Sequence, residues 1–179
     1  MTGTAPGPEF SRIVDVAALG AGEIVREIDA TDDERAALAR RLGLNAIASL
    51  AATVRVRQRG HRLVEVAGSF EADLEQTCVV TLEPVPAHIA RSFRQLYSPD
   101  AEEPRGAVVI HPDEDEEDVL EPLVGERIDI GEAVVQQLAV ALDPYPRKPG
   151  AQIPAEYAAD GVDERRDGAF AALARLRRS

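Results

Sequence analysis

Two hydrophobic periods divide this chain. Between Phe10 and Tyr97 apolar and polar residues mostly alternate, as in half-buried strands. Around residues 32–42 and beyond residue 129 apolar residues recur every three or four positions, as in helices. Phe10–Val16 predicts a short first strand, and Glu23–Asp29 a second with Ile24 and Ile28 on one face and Val25 on the other. Thr31-Asp32-Asp33-Glu34 is a capping box: the Thr31 hydroxyl accepts from the Glu34 N–H while the Glu34 carboxylate reaches back to the Thr31 N–H. Arg40, Arg41 and Gly43 close that helix, which runs from about Asp32 to Leu42. Ser49–Arg59 reads as a strand, Arg59-Gly60-His61 as a turn, and Arg62–Ala67 as the antiparallel return. Ser69–Val80 follows as a third strand of this series, irregular near Gly68, and Pro84 and Pro86 interrupt it. Ile89–Tyr97 is the fourth, with Ile89, Arg91, Phe93, Gln95 and Tyr97 on one face and Ala90, Ser92, Arg94 and Leu96 on the other. Consecutive strands on short turns argue for an antiparallel meander.

Residues 99–126 break the pattern with eleven acids against one base, Arg105. Asp113, Glu114, Asp115, Glu116, Glu117 and Asp118 stand in a row, a block that cannot bury itself and predicts a solvated, mobile loop. Val108-Val109-Ile110 just before it reads as a short strand. Asp129 is the N-cap of a second helix, with Glu132 three positions on completing a second capping box and Val134, Val135, Leu138, Val140, Ala141 and Leu142 as a wide apolar face. Pro144 and Pro146 stop it. Residues 148–179 read as a loosely held tail, ending in a short basic helix over Gly168–Arg178. The fold class expected is α+β: an antiparallel sheet packed with two main helices, an acidic mobile loop and a basic C-terminal helix. One domain spans residues 10–147 after a lead-in over 1–9.

Composition narrows the function. A formal net charge of -12 disfavours coating by nucleic acid, so any RNA contact must be a local basic patch. One cysteine excludes an internal disulfide and a cysteine metal cage. No apolar run reaches the roughly 18–20 residues of a membrane span, and residues 1–8 have neither the basic nor the apolar part of a signal peptide. Cytoplasm is the expected compartment. No phosphate loop, nucleophile elbow or paired zinc motif is present. No catalytic residue, cofactor, metal or small-molecule substrate is therefore assigned. Cys78, between Thr77 and Val79, reads as a small core residue.

The basic feature is Arg55, Arg57 and Arg59, which alternate onto one strand face, with Arg62 after the turn. Guanidinium groups about 7 Å apart along a strand can track a phosphate backbone. The plainer reading is the wet face of a hairpin, neutralised by Glu65, Glu71 or Asp73 on the neighbouring strands. Phe93 and Tyr97 are candidate base-stacking residues, or core. The six-acid run, Asp113 to Asp118, is the candidate docking site for a basic protein.

Three blocks in order carry a resemblance to the YceD family of large ribosomal RNA subunit accumulation proteins. They are Cys78-Val79-Val80-Thr81-Leu82-Glu83-Pro84, the capped helix from Asp129 into Asp143-Pro144-Tyr145-Pro146-Arg147, and Gly168–Leu176. The family-motif positions so matched are Cys78, Leu82, Glu83, Pro84, Asp129, Pro144 and Pro146. Many members carry Cys-x-x-Cys and further cysteines; here Thr81 stands at the second position, so no metal role carries over to this chain, while Asp143-Pro144-Tyr145-Pro146-Arg147 resembles an alphaproteobacterial-like branch. The resemblance implies a non-enzymatic cytosolic factor supporting large-subunit ribosomal RNA accumulation, processing or ribosome assembly. Its expected partners are that RNA or a pre-ribosomal particle. The alternative is an adaptor whose acidic loop binds a basic ribosomal protein or an RNA-processing enzyme without RNA contact.

Overall fold

The computed structural model describes residues 8–20, 22–60, 62–101 and 120–153. The six-acid run, the 108–110 strand and the 168–178 helix lie outside them. The elements are β1 (Ile13–Asp15), a 3-10 turn (Val16–Leu19), β2 (Glu23–Asp29), α1 (Asp32–Leu42), β3 (Ala46–Arg59), β4 (Leu63–Thr77), β5 (Pro84–Ser98), β6 (Leu120–Pro122), β7 (Arg127–Asp129) and α2 (Ile130–Ala141). A five-stranded sheet runs β2-β3-β4-β5-β6, and β1 and β7 form a separate two-stranded ribbon. The α+β class and both helices agree with the sequence reading.

The strands differ from expectation in four places. Phe10–Val16 is mostly not strand: only Ile13–Asp15 pairs, against β7. The two strands read around Gly68 are one. A Cβ at Gly68 would overlap the Thr53 carbonyl oxygen, so this glycine serves close strand approach, not a break. Pro84 and Pro86 open β5 instead of interrupting a strand, a place where a missing N–H is tolerated because β5 pairs with β6 only over Leu96–Ser98. The meander itself ends at β5: Leu120–Pro122, read as loop, pairs parallel to it.

β3 shows how pattern becomes packing. Leu50, Ala52, Val54 and Val56 alternate inward, but Ile47 is also buried, one position out of phase. A bulge between Ile47 and Ser49 absorbs the extra residue, so both stretches face the core. That face of the sheet, with Val64, Val66, Phe70, Ala72 and Leu74 of β4, packs in one cluster with Leu38 of α1 and Ile130, Val134, Val135 and Leu138 of α2. Both helices thus cover the same face. Among the described residues no helix covers the other.

The helix ends follow their caps. Thr31 and Glu34 form the expected capping box, and Gly43 ends α1 in the left-handed region at φ 66°. Asp129 caps α2, accepting from Gly131 and Glu132 N–H at 3.0 and 3.2 Å. The expected reciprocal contact from Glu132 does not form, because its carboxylate instead binds Arg41 at 2.6 and 2.8 Å. Asp129 also takes the Ser11 hydroxyl at 2.6 Å and the Arg12 N–H at 2.8 Å, tying the N-terminal segment to α2.

Gly131 completes this junction, since a Cβ there would overlap the Phe10 carbonyl oxygen. Gly131→Ala is expected to destabilise by about 1–3 kcal/mol through overpacking, even though alanine favours a helix. A urea midpoint that does not fall would show that the 10–12 segment is free to move away.

Candidate functional site

Strand parity decides what the uncovered face presents. Residues opposite in register form rows across the sheet: Glu23–Arg57–Glu65–Leu96, then Val25–Arg55–Ala67–Arg94, then Glu27–Thr53–Ser69–Ser92, then Asp29–Ala51–Glu71–Ala90. The first two rows are rich in arginine, the last two in small residues and carboxylates.

Glu65 is the centre of the basic end. Its side chain is only 2% exposed, although it points away from the hydrophobic core. Three arginines enclose it. Arg57 Nε donates to Oε1 at 2.6 Å, while Arg59 Nε and Arg94 Nε donate to Oε2 at 3.0 and 2.9 Å. Burial pushes the Glu65 carboxyl up, but the Arg94, Arg57 and Arg59 hydrogen bonds outweigh it and hold it at about 2. The arginine side chains themselves stay 42–50% exposed. Their guanidinium groups hold the carboxylate while each side chain as a whole stays partly exposed.

The other predicted arginines lie at the margin. Arg55 is 4.0 Å from Glu23, and Arg62, in the turn with φ 67°, is 3.1 Å from Asp100. The neutralising reading therefore applies to Arg57 and Arg59 through Glu65, but Glu71 and Asp73 take no part. Arg94 was readable as a face-mate of Leu96; only the strand register places it beside Glu65. Phe93 and Tyr97 lie on the opposite face of β5 from Arg94. Both are partly buried against the core, Phe93 contacting Phe70 with ring centroids 6.4 Å apart.

A second constellation surrounds Cys78, which is fully buried in the turn between β4 and β5. Its Sγ accepts from Val80 N–H and Thr81 N–H at 3.4 Å each and from Lys148 N–H at 3.3 Å. Leu82 adopts φ 59° and returns its N–H to the Cys78 carbonyl at 2.9 Å. The Val79 N–H reaches the Pro146 carbonyl at 2.9 Å, and Lys148 Nζ pairs with Glu83 at 2.8 Å. So Cys78, Val79 and Glu83 pin the stretch that follows α2, including Pro146, against the β4–β5 turn, while Leu82 closes the turn itself. The Lys148 N–H foremost, then the Thr81 hydroxyl, draw the Cys78 thiol down to about 6 against the effect of burial. Among the described residues no cluster of histidine, cysteine and carboxylates is arranged to hold a metal.

Ser49, Asp73 and His88 share the fifth row. His88 Nδ1 lies 2.8 Å from Asp73, and Ser49 Oγ donates to the same carboxylate at 2.8 Å. Asp73 stands between serine and histidine, so the hydroxyl is not delivered to the imidazole as nucleophilic catalysis requires.

Two titrations test these constellations. Glu65 has a depressed folded pKa, so its contribution to stability is full above the ordinary value of 4.5 and fades as pH falls toward about 2. Glu65→Gln is expected to lose about 3 kcal/mol near neutral pH, with the gap to the parent closing in acid. A gap that does not change with pH would contradict the arginine enclosure. For Cys78, thiolate absorbance at about 240 nm should titrate near pH 6 in the folded chain and near 9.0 in denaturant. A single titration near 9.0 in both states would show that the three N–H groups do not hold the sulfur.

Comparison with known proteins follows the same residues. A search of the curated proteins found no match, and neither did a search of the solved structures. The family model described as "Large ribosomal RNA subunit accumulation protein YceD" matches residues 66–177, well over half of the chain. The match begins inside β4, takes in the Cys78 turn, Asp129, α2 and Pro144-Tyr145-Pro146, and leaves β1 to β3 outside. On that match the chain belongs to the YceD family.

Proposed function

We propose that this protein is a non-enzymatic cytoplasmic factor that supports accumulation of large-subunit ribosomal RNA and touches RNA through the arginine end of its open sheet face. The family supports the theme of the reading, and no described helix is long and apolar enough to cross a membrane. One observation carries the contact itself: Arg57 and Arg59 share a single buried carboxylate while remaining about half exposed. A guanidinium has five donors, and the bond to Glu65 fixes its plane in advance. Little rotamer freedom is then lost when a phosphate arrives. The small residues of the next rows, Ala67, Thr53 and Ser69, leave room for a backbone to lie across the strands. No aromatic side chain stands in these rows, so the contact reads phosphate and shape, not bases. The net charge of -12 keeps such a contact local.

The structure dictates how to test it. Reversing Arg57 or Arg59 to glutamate would set like charges beside buried Glu65 and unfold the hairpin. The balanced variant is Arg55→Gln/Arg57→Gln/Arg59→Gln/Glu65→Gln. Against a single-stranded large-subunit ribosomal RNA fragment, its salt slope of log affinity should fall by about 2. An unchanged slope in a variant that still folds would remove RNA from this face.

A further inference from the structure

The other end of the same open face behaves differently. A shallow trough crosses β2, β3 and β4, with Ala51, Thr53 and Ser69 as its floor and Glu27, Asp29 and Glu71 at its walls. The floor is low because its residues are small. The register explains the walls: Asp29 and Glu71 flank Ala51 in one row, and Glu27 flanks Thr53 in the next. Two strand spacings set Asp29 and Glu71 about 10 Å apart, and Glu27 follows Asp29 at about 7 Å along β2.

All three carboxylates are exposed, and among the described residues none has a hydrogen bond or ion pair. Several acids elsewhere on the molecule are matched, Glu65 by three arginines, Glu34 by Arg12, Glu132 by Arg41 and Asp73 by His88; the trough instead gathers three unmatched ones around one strand. Like charges without partners around a strand of small residues oppose folding slightly, and nothing in the fold uses them. The carboxylates do not converge as metal ligands. Their spacing instead suits long cationic side chains presented two residues apart by an extended segment.

We propose that this trough docks an extended, lysine- and arginine-bearing segment of a protein partner, seated across β3 with its cations on Glu27, Asp29 and Glu71. The inference is independent of RNA binding at the arginine end. If both hold, one sheet face meets a basic protein and an RNA side by side.

The probe is a peptide of alternating lysine and alanine, titrated into the isotope-labelled full chain while backbone amide signals are followed. Shifts centred on Ala51, Thr53 and Ser69 are expected. The variant Glu27→Gln/Asp29→Asn/Glu71→Gln should weaken binding about tenfold, in line with three partly exposed ion pairs. Because it removes repulsion, it should melt no lower than the parent. Shifts confined to Asp113–Asp118, or an affinity unchanged in the variant, would overturn the proposal. So would a lower melting temperature, which would give the carboxylates to the fold. Concentration-dependent self-association that the variant abolishes would also overturn it, by assigning the trough to a second copy of this chain.

Discussion

A carboxylate taken out of water costs several kcal/mol unless charged donors replace its hydration. Glu65 sits under that constraint on the side of the sheet opposite α1 and α2. Arg57 meets it from the directly opposite position on β3, Arg59 from the diagonal on the same strand, and Arg94 from β5. One side chain therefore ties three strands together on the face opposite the main hydrophobic cluster. The same contacts leave the three arginine side chains about half exposed. Fold and site share this interaction, so the arginines cannot be exchanged as if they were ordinary surface charges.

The division of the sheet into two faces explains the rest. The buried aliphatic side chains of α1 and α2 pack on the face of Val54, Val66 and Phe70. The other face is left to arginine, small residues and acids, arranged by row. The family match starts at Val66, yet Arg55, Arg57, Arg59, Glu27 and Asp29 belong to β2 and β3. The open face is thus assembled from both parts of the chain. The N-terminal part is held in place by Asp129, which accepts from Ser11 and Arg12 while capping α2, and by Arg41 bridging Glu9 and Glu132. Cys78 performs the corresponding task at the other end, fastening Lys148 to the β4–β5 turn.

Local chemistry was legible where a few neighbouring residues decide the outcome. The Thr31–Glu34 box, Gly43 and the alternation of β2 name their elements without help from the rest of the molecule. The parity of Arg55, Arg57 and Arg59 was equally plain. What escaped depends on pairing between distant segments. The bulge at Ile47, the parallel return of β6, and the burial of Glu65 all arise from register, which a single strand does not carry. Glu132 looked like half of a capping box because the motif is local; Arg41, 91 residues away, claims it instead. Pro84 and Pro86 looked like breakers because a proline says nothing about whether its strand lies at an edge.

The central claim is that the sheet face opposite α1 and α2 is the working surface. A photo-crosslinking side chain placed at Ser92 on that face, and another at Val140 on the exposed side of α2, would test it directly in cells. Adducts with large-subunit RNA or ribosomal protein from Ser92, and none from Val140, are the expected result. Adducts from Val140 alone would contradict it and move the working surface to the helical side.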